Sequence, residues 1–112
     1  MALTTDELGC CTEQLARFFP NLPAVKIPAR VTPLRASSLA RLQESVVVAY
    51  GSEEYAIFLS TLPLEFADHV RVSRDGGGHS AEASVIALQY HQGRKAVAVR
   101  FLDGPCEWMR QP

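Results

Sequence analysis

Residues 50–64 read YGSEEYAIFLSTLPL. A β-forming run, Val46–Tyr50, leads into Gly51–Glu54, which has the composition of a turn. The residues after the turn, Tyr55–Leu59, are again apolar and β-forming. This part of the chain therefore predicts a β-hairpin, and the remaining strands are expected to assemble around it.

Three further β-forming runs follow the hairpin, and each is bounded by Gly, Pro, Asp or Ser: Val70–Ser73, Ala83–Tyr90 and Ala96–Phe101. In the last run, alternation predicts a sheet with one covered face. Short strands at this spacing predict a small antiparallel barrel or sandwich with its core at residues 45–102, and a closed or nearly closed barrel is the expected form. The residues expected to be buried are Val48, Ile57, Val70, Val85, Val97, Val99 and Phe101.

The segment before the hairpin predicts extended structure and then a short helix. Apolar and other residues alternate from Val25 to Val31, and Pro28 is one of the alternating residues. A proline within such a run favours an edge strand. Thr32 and Pro33 are typical of a helix start, so a second short helix is predicted near Pro33 to Gln43.

The two ends of the chain predict short helical elements. Thr4 and Glu7 have capping-box spacing, and an apolar stripe predicts a helix from Thr4 to Phe19. We expect this helix to cover one open end of the sheet; contact with a partner or membrane is the alternative. In the C-terminal turn, residues 103–112, we expect Trp108 to lie over the barrel, with ligand stacking as its alternative.

Length and composition limit the class of protein. The 112 residues are 47% hydrophobic and 21% charged, which predicts a single domain spanning residues 1–112. The formal net charge of -1 gives no reason to expect a nucleic-acid polymer or an anionic membrane as partner. No apolar run is long enough to span a bilayer and no secretion signal is present, so a cytoplasmic location without membrane insertion is expected.

Side chains that carry chemistry are few and scattered. Cys10, Cys11 and Cys106 show no Cys-x-x-Cys spacing, which predicts reduced, inert thiols and no metal site. The three histidines lack ligand spacing, and no nucleophile, base and orienting group can be connected. The glycines in the predicted loop Arg74–Ser80 lack the helix that follows a phosphate-binding loop. The sequence therefore predicts a protein that is not an enzyme and has no cofactor.

Positive charge is concentrated only upstream of the hairpin, at Lys26, Arg30, Arg35 and Arg41. Lys26 and Arg30 are four residues apart and would be able to hold phosphates by charge-assisted hydrogen bonds. The residues alone favour the simpler interpretation of a solvated surface.

Four short motifs occur in order with suitable gaps: Leu62-Pro63-Leu64, Val70-Arg71-Val72, Ala83-Ser84-Val85 and Val97-Ala98-Val99-Arg100-Phe101. Over the last two thirds of the chain, this pattern resembles a PilZ domain, a bacterial six-stranded barrel that often binds cyclic di-GMP. The resemblance implies a mainly β fold with an added N-terminal helix. It also implies a role in bacterial signalling.

Few positions of this sequence match the ligand-binding motifs of that family. Ser52 stands at the motif serine, while Tyr50 stands at the aspartate and Tyr55 at the glycine. The upstream arginine pair corresponds to Lys26 and Arg30, and a lysine lacks the planar fork that binds phosphate bidentately. The resemblance thus implies a regulatory or adaptor domain that acts through protein contacts, with weak or no cyclic di-GMP binding. The alternative is a genuine cyclic di-GMP receptor, controlling motility, biofilm, exopolysaccharide or pili, with Lys26, Arg30 and Ser52 as its ligand-binding residues.

Overall fold

The computed structural model describes residues 12–19, 22–34, 42–75, 79–91 and 93–109. Its strands close into an antiparallel barrel in the order β1-β2-β3-β6-β5-β4, which confirms the predicted fold class. The strands are β1 (Ala24–Pro33), β2 (Glu44–Gly51), β3 (Tyr55–Ser60), β4 (His69–Arg74), β5 (Ser80–His91) and β6 (Arg94–Phe101).

The barrel interior is filled by side chains from alternate positions of the strands. In β4, Val70 and Val72 are buried while His69 and Arg71 are exposed, as the period of two predicts. Valines dominate because a β-branched side chain packs well on a pleated surface. The interior cluster includes Val48, Phe58, Val70, Val85, Val97, Val99 and Phe101.

Strand β1 corrects the prediction of an edge strand, because it pairs with β2 on one side and β4 on the other. Pro28 is tolerated here for a local reason. Ala29 and Arg74 form the last residue pair between β1 and β4. Just beyond this pair, the Pro28 carbonyl accepts a hydrogen bond from the Asp75 amide at 3.1 Å. The missing amide of Pro28 points to the same side, where β4 has ended. The barrel wall thus begins at Ala24 and not at residue 45.

The predicted helix near Pro33 to Gln43 is wrong at both of its ends. Pro33 pairs with Val70 as the last residue of β1, and the Leu34 amide donates to the His69 carbonyl at 2.9 Å. Leu34, Leu42 and Gln43 have no regular structure, and residues 35–41 lie outside the described residues.

The N-terminal helix lies on the outer wall of the barrel. Residues 12–16 are helical, and the earlier part of the predicted helix, residues 1–11, is outside the described residues. Leu15 packs against Ile57, Ala96 and Ala98, which all face outward from β3 and β6. The helix therefore covers a wall and not an open end, and β6 is buried on both faces, contrary to the single covered face predicted.

Other segments close the two ends of the barrel. A 3-10 turn at Glu107–Met109 buries Met109 completely, and Trp108 packs partly buried on the interior cluster, as expected. A β-carbon at Gly51 would meet the Met109 Cγ and Sδ at 3.0 Å, so only glycine fits there without movement. At the opposite end Leu62 and Leu64 are buried.

Candidate functional site

Ser52 lies in the turn between β2 and β3, and its hydroxyl is used within that turn. The Ser52 Oγ accepts hydrogen bonds from the Glu54 amide at 3.2 Å and the Tyr55 amide at 3.3 Å. The Ser52 amide in turn donates to the Tyr55 carbonyl at 2.8 Å. This arrangement is typical of a serine that stabilises a turn through its side chain.

Arg30 and Lys26 are both exposed on the outer face of β1. Arg30 forms an ion pair with Asp75, its Nε lying 3.7 Å from the Asp75 Oδ1, and both side chains are about half exposed. Ala24, not Arg30, lies opposite Tyr50 near the Ser52 turn. Because a strand rises about 3.3 Å per residue, Arg30 lies roughly 20 Å farther along β1. Lys26 lies nearer the turn, so the structure does not bring the three predicted site residues together.

Two tyrosines beside Ser52 pack on the outer wall of the barrel, and one of them contacts the N-terminal segment, residues 12–19. The rings of Tyr55 and Phe19 have centroids 5.1 Å apart at an interplanar angle of 48°, a favourable tilted arrangement. Tyr50 packs in the same outer cluster, together with Leu15 and Leu22. The sequence identified these tyrosines as departures from a ligand motif but contained no signal for their packing partner.

A groove of about 440 Å³ adjoins the same turn. One side is formed by Pro23, Ala24 and Val25, and the other by residues 51–54. Two of the lining residues, Glu53 and Glu54, are acidic. Their charge disfavours an anionic ligand in this groove, because like charges at short range repel.

A group of hydrogen bonds around the Glu44 carboxylate joins the start of β2 to the end of β3. The sequence did not predict it. The Glu44 Oε1 accepts a hydrogen bond from the Ser60 Oγ at 2.6 Å, and the Glu44 Oε2 accepts one from the Thr61 Oγ1 at 2.6 Å. The Thr61 amide also donates to Oε2 at 3.0 Å. Burial raises the Glu44 pKa, but these hydrogen bonds and the positive charge of Arg94 outweigh burial and lower it overall.

The hydrogen bonds of this cluster stabilise the fold. Ser60 is only 2% exposed, and its Oγ also accepts a hydrogen bond from the Leu62 amide at 3.0 Å. A carboxylate with a lowered pKa is a poor general base at neutral pH. Glu44 therefore ties the link after β3 to the barrel, next to the buried Leu62.

We expect Glu44→Gln to lower the free energy of unfolding by about 1–2 kcal/mol at pH 7, since it removes a charged acceptor that is only partly buried. The folded-state pKa lies below the ordinary 4.5, so this stabilisation is complete above pH 4.5 and is lost as the pH falls through the lowered value. Urea denaturation at pH 7 and pH 3 measures it. The exposed Glu107→Gln is the control, and equal loss in both variants would contradict the role of Glu44.

Among the described residues, the remaining polar and thiol groups show no reactive arrangement. Cys106 is a buried free thiol, and burial raises its pKa to about 11, so the thiolate is scarce at neutral pH. Lys95 is buried with its Nζ 5.7 Å from the Tyr90 ring centroid, a cation–π contact. Within the described ranges no three His, Cys, Asp or Glu side chains form a group suited to a metal ion.

None of the helices in the described part of the chain has the length and apolar character needed to cross a bilayer. The sequence matches no model of a known protein family and no curated protein. Its function is therefore inferred from its own residues.

Proposed function

We propose that this chain is a non-enzymatic, PilZ-like regulatory or adaptor domain that acts through protein contacts in the cytoplasm and binds cyclic di-GMP weakly or not at all. The closed six-stranded barrel agrees with the fold that the sequence motifs imply. Because one fold supports many functions, the proposal depends on the surface around Ser52 and not on the barrel itself.

The packing of Tyr55 on Phe19 carries the proposal. The two positions that would carry the family's ligand-binding aspartate and glycine hold Tyr50 and Tyr55; Tyr55 packs on Phe19, and Tyr50 packs against the outer cluster that contains Leu15. A ligand seated at these positions would have to displace packed apolar surface, and that loss would reduce its affinity. The N-terminal segment thus occupies the place where a nucleotide would be recognised.

The charges near Ser52 support the same conclusion. A dianionic ligand needs several preplaced donors, whereas Arg30 is paired with Asp75 and lies far along β1 from the Ser52 turn. Glu53 and Glu54 line the adjoining groove. Positive charge near this turn comes from Lys26 on β1, a single point charge, and from Arg100, which lies opposite Tyr55 on β6.

An exposed aromatic side chain supports contact with a protein. Phe66 is 71% exposed in the link before β4, next to Ala67, whose φ of 72° is unusual for a residue other than glycine. The Ala67 amide donates to the Val85 carbonyl at 2.8 Å, and this bond fixes the turn. An exposed aromatic residue is the type of side chain that anchors protein interfaces.

Calorimetric titration of cyclic di-GMP at physiological salt tests the proposal. Two partner groups of the motif are lost, and each loss costs about 1.5–3 kcal/mol, or roughly ten-fold to more than a hundred-fold in affinity. We therefore expect no measurable heat at micromolar protein and ligand concentrations.

A sub-micromolar dissociation constant that Arg30→Ala abolishes would overturn the proposal and favour the receptor with Lys26, Arg30 and Ser52. Arg71→Ala is the matched control, because Arg71 is also half exposed and lies 3.7 Å from the Glu82 carboxylate. Equal effects of the two variants would indicate loss of net charge and not a specific site.

A further inference from the structure

Lys95 is a buried lysine near the start of β6, at one end of the barrel. It lies two residues before Val97, which belongs to the interior cluster, so both side chains lie on the inner face of the strand. Lys95 is only 8% exposed. A lysine buried to this degree normally has an ionic or hydrogen-bonding partner, because burial removes water from its ammonium group.

The strands beside Lys95 do not provide that partner. Ser60 of β3 and Tyr90 of β5 lie opposite Lys95. The Ser60 hydroxyl donates to the Glu44 carboxylate and accepts from the Leu62 amide, so it is already used. Tyr90 contributes only its ring, whose centroid lies 5.7 Å from the Lys95 Nζ.

Acidic side chains do not pair with Lys95 either. All carboxylate side chains of the sequence except those of Asp6 and Glu7 lie in the described ranges, and none within these ranges forms an ion pair with Lys95. Residues 35–41 lie outside these ranges, and their sequence, RASSLAR, contains no carboxylate. An ammonium group has three donors, and an aromatic ring attracts its charge without accepting ordinary hydrogen bonds. Lys95 therefore retains donors for an acceptor that the described part of the chain does not supply.

The ammonium group of Lys95 is held beside a surface side chain. Tyr90, which it contacts, is 69% exposed. A buried lysine stem commonly carries its charged head toward water. The stem thus fixes the position of the charge, and the exposed ring marks the side that faces solvent.

We propose that the Lys95 ammonium, beside the Tyr90 ring, binds a side-chain carboxylate of a partner protein. The Asp or Glu side chain of the partner approaches from the side of the ring and accepts the hydrogen bonds that Lys95 can still donate. This site rests on the proposed adaptor role and deepens it, because it gives the chemistry by which a partner is recognised.

The charge at this position fits a carboxylate better than a phosphate. Phosphate groups are commonly held by several donors or by bidentate arginines. Lys95 offers a single ammonium, and alternation along β6 directs the preceding Arg94 to the other face of the strand. The positive charge of Arg94 already acts on Glu44. One ammonium matches the single charge of a carboxylate.

A protein suits this site better than a free small acid. Tyr90 combines an apolar ring with a hydroxyl, the type of side chain enriched where interfaces bind most strongly. The Lys95 stem is already ordered by burial, so little side-chain freedom is lost when a partner docks. The two side chains together form a small preorganised anchor.

Nuclear magnetic resonance of the lysine ε-methylene groups tests this site in the full natural chain. The sequence contains two lysines, and the exposed Lys26 is an internal control for Lys95. The probe is N-acetylglutamate α-amide, whose only charge is its side-chain carboxylate, and N-acetylglutamine amide is its uncharged counterpart. We expect saturable shifts of Lys95 at about 1–100 mM of the charged probe and none with the uncharged one.

Two results of this titration would overturn the proposal. One is an unchanged Lys95 signal, or equal shifts of Lys95 and Lys26, in the charged probe. The other is tighter binding of inorganic phosphate than of the charged probe at Lys95, which would contradict the assignment to a carboxylate.

Substitutions of the two lysines locate the binding. Lys95→Met keeps an unbranched stem but removes the ammonium, so it should weaken binding about ten-fold or more, as read from the backbone amides of Ser60 and Tyr90. Lys95→Arg retains a cation and should still bind the charged probe. Lys26→Met is the matched control and should bind like the natural chain. Thermal melting checks that each variant is folded, and binding that survives in a folded Lys95→Met variant would contradict the site.

The carboxylate titration and the cyclic di-GMP titration have separate outcomes. A chain whose Lys95 does not respond to the charged probe lacks this site, and its adaptor role is unaffected. Sub-micromolar binding of cyclic di-GMP would overturn the adaptor role whatever Lys95 binds.

Discussion

Replacing Val99 by aspartate is expected to unfold the domain. Val99 is 0% exposed in β6, where it lies opposite Ala56 of β3 and Val85 of β5. An unpaired carboxylate in such an interior costs several kcal/mol, which approaches the total of about 5–15 kcal/mol that stabilises a typical domain. Circular dichroism and urea denaturation would show the loss of cooperative unfolding.

The matched control is Val47→Asp, which makes the same substitution on the outer face of β2. Val47 is 56% exposed, so its carboxylate would remain hydrated. We expect a change of about 1 kcal/mol or less in the free energy of unfolding. A Val99→Asp variant that melts like the natural chain would contradict the closed barrel.

Deleting residues 1–19 is expected to lower the melting temperature sharply and to reduce solubility. The deletion removes Leu15 and Phe19, which cover the outward-facing Ile57, Ala96 and Ala98. Full burial of a large apolar side chain contributes about 1.5–3 kcal/mol, so the buried Leu15 contributes an amount in this range and the partly buried Phe19 adds less. The uncovered wall would also promote association. Thermal melting and size-exclusion chromatography of the truncated and full chains measure both effects.

Two single substitutions distinguish the effect of losing buried apolar surface from the effect of shortening the chain. Leu15→Ala removes a buried side chain and should cost about 2–5 kcal/mol, whereas the exposed Phe18→Ala should change the stability little. A truncated chain that remains folded and monomeric, with an unchanged melting temperature, would show instead that the N-terminal segment serves a partner.

Much of the barrel could be predicted because its strands follow simple periodic rules. The predicted hairpin of Val46–Tyr50 and Tyr55–Leu59 lies within β2 and β3, and the turn between them is confirmed. Alternation also identified Val70 and Val72 as buried. These features depend on local sequence, where β-branched residues and turn residues carry a direct physical signal.

What covers each face could not be predicted from periodicity. Ile57 is buried as expected, but under the N-terminal helix and not inside the barrel. Ala96 and Ala98 are small enough to suit either a covered or an open face, so they did not reveal the helix above them. Pro28 favoured an edge strand, because the sequence does not show where the paired strand β4 ends.

The candidate site was less predictable because its contacts join distant parts of the chain. Glu44 meets Ser60 and Thr61 only after β2 and β3 pair, and these residues are 16 and 17 positions apart. The available signal was an acidic residue, Glu44, on the same face of the strand as the buried Val46 and Val48. Ser52 was correctly placed in a turn, but sequence alone did not show that its hydroxyl would be used there.

The contact between Phe19 and Tyr55 tests the proposed function most directly. Nuclear Overhauser effects between the two aromatic rings can be followed as cyclic di-GMP is added to the full chain in large excess. If the N-terminal segment occupies the nucleotide surface, the effects should persist without change at millimolar ligand. Their loss at micromolar ligand, together with saturating shifts of the Ser52 and Arg30 amides, would contradict this account and identify a cyclic di-GMP receptor.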